Sequence, residues 1–73
     1  MLTLDFVWGI RLQLRVEGNK LRAEGDKLWA EGDKLWAEGV IAAHGNITME
    51  WKNWNKDKQD YECHLGTGEV FVP

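Results

Sequence analysis

The chain of 73 residues predicts an α+β fold: one long amphipathic heptad-repeat helix, then a small three-stranded antiparallel meander. Three observations predict it. A seven-residue phrase runs from Leu14 to Gly39 as LRVEGNK, LRAEGDK, LWAEGDK and LWAEG. After Asn46 the apolar residues change to a spacing of two, the mark of half-buried strands. Between the two patterns stands Gly45-Asn46, a helix stop with glycine at the left-handed position after the last turn.

The repeat is read as helix because seven residues make two turns of about 3.5 residues each. With Gly at heptad position a, Leu falls at d and Trp29 and Trp36 at e, so all three share one arc roughly 100° wide. The lysines and glutamates fall on the other side. Glu17–Lys20, Glu24–Lys27 and Glu31–Lys34 are spaced three apart, where opposite charges meet on a helix at about 0.2–0.5 kcal/mol per pair. Glycine works against this helix, at about 0.5–1 kcal/mol per interior position. A disadvantage repeated at each phrase implies a repeated use, a notch in which another backbone lies close. The expected oligomer interface is therefore Leu14, Gly18, Leu21, Gly25, Leu28, Trp29, Gly32, Leu35, Trp36 and Gly39. A seven-residue β-solenoid is the competing reading; known solenoid periods differ, and Ala, Glu and Lys favour helix.

In chain order, residues 1–9 read as an N-terminal arm or short strand, because Leu2, Leu4, Phe6 and Trp8 begin a run of alternating apolar positions. Val7 to Gln13 also aligns with LWAEGDK as a decayed phrase, which leaves helix open as an alternative, with Thr3 as its cap. Residues 10–45 are the repeat helix, roughly 50 Å long at 1.5 Å per residue. The rest of the chain is too short to cover such a rod, so self-association is expected. Residues 46–73 form the meander. Ile47, Met49 and Trp51 make one strand, Asn53–Asp60 is a polar loop, Tyr61, Cys63 and Leu65 make the second, and Glu69–Val72 follow the Gly66-Thr67-Gly68 turn.

Composition narrows the function. Twelve acidic and nine basic residues give a net charge of −3, with no basic face for phosphates, so nucleic acid is not an expected partner. No apolar run approaches the roughly 18 residues that span a bilayer. The first residues lack the features of a secretory signal, and a single cysteine fits a reducing compartment.

Trp54 stands out in a loop rich in Lys and Asp. With Trp51, Lys56, Lys58, His44 and His64 it makes the candidate partner or ligand surface. No catalytic residues are assigned: serine is absent, and nothing orients a Cys63–His44 pair. His44, Cys63 and His64 lack metal-ligand spacing, so neither metal nor cofactor is expected.

The run LRAEGDKLWAEGDKLWAEG, with AAHGNITMEW and the ECHLGTGEVF ending, resembles small uncharacterised proteins of tailed bacteriophages and prophages. That resemblance implies a phage accessory protein in the host bacterial cytoplasm and carries over no functional residues. The expected function is a non-catalytic, self-associating interaction module that contacts a host bacterial protein and antagonises a defence system. The alternative is a sponge for a small anionic nucleotide signal, with pockets at the oligomer interface.

Overall fold

The computed structural model describes residues 3–21 and 25–73. Its elements are α1 (Leu4–Lys20), α2 (Gly25–His44), β1 (Met49–Asn55), β2 (Asp60–Leu65) and β3 (Val70–Phe71). The α+β class is as expected, but the single long helix is not. The repeat divides after Lys20, and its two parts lie side by side as an antiparallel helical hairpin.

The division answers the problem that a long amphipathic rod poses. Folding back covers the rod with its own other half. Gly18 meets Gly25, Arg11 meets Gly32 and Val7 meets Gly39 across the hairpin. A Cβ on Gly32 would lie 3.4 Å from the Arg11 carbonyl oxygen, and one on Gly18 would lie 2.9 Å from that of Gly25. The notch expected of the glycine column is real, and the backbone that fills it belongs to the same chain.

This corrects the interface assigned from the heptads. Gly18, Gly25, Gly32 and Trp36 are buried within the chain, and Gly39, Leu14, Leu28 and Trp29 are half-buried, whereas Leu21 and Leu35 stay exposed. The seam runs along glycine and tryptophan rather than glycine and leucine, because glycine lets α1 sink until the flanking indole is engulfed. The Glu17–Lys20 and Glu31–Lys34 pairs do not close as ion pairs among the described residues. Glu24–Lys27 lies partly outside the described residues, as do the first two positions of the expected arm.

The arm itself is helix from Leu4. Thr3 is extended, and its hydroxyl accepts the N–H of Phe6 at 3.2 Å, a side-chain cap on the first turn. The decayed phrase wins over the alternation because it places Val7, Trp8 and Arg11 on one helical face, and all three are buried. At the other end α2 stops at His44 as expected. Gly45 takes φ +76° and donates to the Ile41 carbonyl at 2.8 Å.

The sheet is antiparallel in the order β1-β2-β3, with Met49 opposite Leu65, Trp51 opposite Cys63 and Cys63 opposite Phe71. The first strand extends into the expected loop, because a bulge between Lys52 and Asn55 lets pairing resume at Asn55 and Asp60. Asn53 holds the left-handed position there at φ +58°. The turn after β2 is where the glycines placed it, with Gly68 at φ +96° donating to Leu65 at 2.9 Å.

Helices and sheet close on Val7, Trp8, Trp36, Val40, Cys63, Leu65 and Phe71. Trp36 is fully enclosed, edge-on to Trp8 at 4.9 Å and to Phe71 at 4.7 Å. Buried indoles need an acceptor for their N–H. Trp36 donates to the Cys63 sulfur at 3.3 Å and Trp8 to the Val72 carbonyl at 2.8 Å. Cys63 and Leu65 face the core as expected; Tyr61, expected beside them, is 43% exposed.

Candidate interaction surface

The residues expected to meet a partner separate into two regions. His44 ends α2 at the wide groove of about 670 Å³ between the start of α1 and Phe71, where its Nε2 stands 2.9 Å from a Glu69 carboxylate oxygen. Trp51, Trp54, Lys56, Lys58 and His64 all lie on the β1–β2 hairpin.

The hairpin is held out by a chain of contacts that starts in the repeat. Trp29 donates its indole N–H to the Arg15 carbonyl at 3.1 Å, and the Arg15 guanidinium lies 4.7 Å over the Trp29 ring. Arg15 Nε then donates to the Gln59 carbonyl at 2.9 Å. The loop also braces itself: the Asn55 side-chain oxygen accepts the N–H groups of Asp57 and Lys58, each at 3.0 Å. Gln59 completes the turn at φ +53°.

Beneath the loop sits a buried ion pair that the sequence reading missed. Arg11, 3% exposed, donates from Nη1 to Asp60 Oδ2 at 2.5 Å and from Nη2 to Oδ1 at 2.9 Å. Its Nε donates to Asp33 at 2.9 Å, and its guanidinium lies 4.6 Å from the rings of both Trp8 and Trp51. Trp51 is therefore partly occupied as a lid over Arg11, with 38% of its surface left open. A signal for Arg11 was present, since it stands where the decayed phrase should carry glycine. Asp60 and Tyr61 gave none.

The bulge decides what the hairpin presents. It sets Asn53 and Trp54 against the single residue Tyr61, and Trp54 meets the Tyr61 ring edge-to-face at 4.8 Å. Trp54 is 51% exposed, and Lys56 and Lys58 lie exposed on the loop beside it. Lys58 also borders a pocket of about 100 Å³ with Leu12, Arg15 and Pro73, too small for more than a few waters.

On the outer face His64 Nε2 contacts a Glu62 oxygen at 2.9 Å, and Asn53 donates to the same oxygen at 2.9 Å. The Asn53 hydrogen bond, then that from His64, holds the Glu62 carboxyl below its ordinary pKa. Lys52 does the same for Glu50. Cys63 is turned into the core beside Trp36, and burial pushes its thiol pKa up. Among the described residues no three His, Cys, Asp or Glu side chains gather as a metal site, and no helix is long and apolar enough to cross a membrane. The surface is thus an aromatic and cationic ledge on a braced hairpin. No protein-family model, curated protein or solved structure matches the chain.

Proposed function

We propose that the protein is a non-catalytic interaction module that docks on another protein through the end of its β1–β2 hairpin. One observation carries this reading: Trp54 and Tyr61, packed against each other, leave 51% and 43% of their surfaces open to solvent. Aromatic side chains are the commonest anchors of protein interfaces, and the bracing through Arg15 lowers the entropy lost on docking. Lys56 and Lys58 flank the pair, so the complementary surface is an apolar pocket rimmed by carboxylates. The resemblance to phage proteins points to a host bacterial protein as the partner, met in the host cytoplasm, with a defence component as the target class. A nucleotide sponge has less support, because Trp29 and Trp36, which would wall its pockets, are engaged within one chain.

Capture from bacterial lysate with the tagged protein and its Trp54→Ala/Tyr61→Ala variant tests this. A protein retained by the parent and lost by the variant, at matched melting temperature, supports the reading. Equal retention by both, or by neither, overturns it.

A further inference from the structure

Strand β1 is one edge of the sheet, and among the described residues nothing pairs with its outer side. Which of its backbone groups are open follows from the ladder. Gly66 donates to the Thr48 carbonyl at 2.9 Å, and hydrogen-bonded and non-hydrogen-bonded pairs alternate along an antiparallel pair. With Glu50 opposite His64 and Lys52 opposite Glu62, those two residues point their N–H and C=O toward β2. Met49 and Trp51 then point theirs outward. The strand is also poorly covered, with every residue from Glu50 to Trp54 exposed, while the buried positions Cys63, Leu65 and Phe71 belong to β2 and β3.

An open ladder accepts another strand, and charge selects which. Glu50 and Lys52 share the outer face, their charged atoms 2.9 Å apart. A second β1 can run antiparallel to the first about several dyads. A dyad at Glu50 opposes two glutamates; one at Lys52 opposes two lysines; one at Met49 leaves both charges unmatched. A dyad at Trp51 sets each Glu50 against the partner's Lys52, twice. It also makes the Trp51 pair the hydrogen-bonded one, which the outward-pointing backbone of Trp51 requires.

We infer that the protein dimerises by antiparallel pairing of β1 about Trp51, joining the two sheets into one. The two Trp51 rings, each lying over its own Arg11, then adjoin on the helical side of the sheet and cover one another's open surface. An edge lysine and a bulge usually keep strands apart. Here the lysine meets a carboxylate, and the bulge at Asn53 ends the paired stretch. This goes beyond the docking role of Trp54 and Tyr61, uses other residues, and stands or falls separately from it.

Sedimentation velocity of the full chain, from low micromolar to submillimolar concentration, is the test, with Glu50→Lys, Lys52→Glu and the double swap carrying both. The expected result is a dimer for the parent, dissociation constants raised at least about tenfold in each single variant, and recovery in the double swap. All these side chains are exposed, so circular dichroism should be unchanged throughout. A parent that stays monomeric overturns the inference. So does a dimer indifferent to the single changes, and so does a double swap that fails to restore association.

Discussion

Arg11 and Asp60, separated by 49 positions in the chain, form a two-pronged ion pair whose side chains are only 3% and 2% exposed. Burial by itself would push the Arg11 pKa down. The hydrogen bonds and charges of Asp60, and then of Asp33, outweigh it and hold the guanidinium above its ordinary value. The charge is retained inside the fold and ties α1, α2 and β2 together.

Asp60→Ala therefore strands a buried cation, and a loss of about 3–5 kcal/mol is expected in denaturant titration. Arg11→Met combined with Asp60→Leu should recover most of it, because an apolar pair of similar volume has no charge to desolvate. A single variant as stable as the parent would show that water reaches the pair.

The glycines should differ sharply in their tolerance of a methyl group. A Cβ at Gly25 collides with the Gly18 carbonyl oxygen, so Gly25→Ala should lower stability by about 1–3 kcal/mol despite alanine's better helix propensity. Gly9 faces open space in α1, and Gly9→Ala should raise stability by about 0.5–1 kcal/mol. Thermal melts of the two variants should move in opposite directions.

The Cys63 thiol should resist a thiol reagent at mildly alkaline pH and react fully once denaturant is added. Burial raises its folded pKa, and the bond from Trp36 opposes this only in part. Its contribution to stability is complete below the unfolded thiol value of about 8.5 and is lost as pH rises through the folded value. Cys63→Ala should flatten that alkaline decline.

Acid should act through Glu62 in the opposite sense. Its folded pKa is depressed by Asn53 and then His64, so its contribution is present above the unfolded value of about 4.3 and disappears as pH falls through the folded one. A carboxyl titration followed by NMR should place Glu62 below the ordinary range, and Asn53→Ala should bring it back toward that range.

Much of this architecture was legible in particular residues. The glycine column announced a close backbone, Gly45 marked the end of α2, and the alternation after Asn46 located the sheet. The hairpin was not legible, because the phrase that spans residues 21–27 is nearly identical to its neighbours and carries no breaker. Tertiary burial of Trp8 against Trp36 selects the reversal, and local propensity is indifferent to it. Nor could the ledge be read fully: Trp54 drew notice as an aromatic in a polar stretch, but its partner Tyr61 was assigned to the core by simple alternation. Asp60, not Tyr61, is the buried residue at that end of β2, and no feature of the alternation marks the exchange.

The bond from the Trp8 indole to the Val72 carbonyl bridges 64 positions, so the centre of the fold closes through contacts far apart in the chain. Arg11 likewise depends on Asp60, 49 positions on, whereas its other partner, Asp33, lies within the helical pair. Helices that pair before the sheet docks therefore leave Trp8 and Arg11 without these distant partners. A chain that lacked the segment around Val72 would hold paired helices around an unfinished centre, the kind of exposed intermediate that chaperones and proteases recognise.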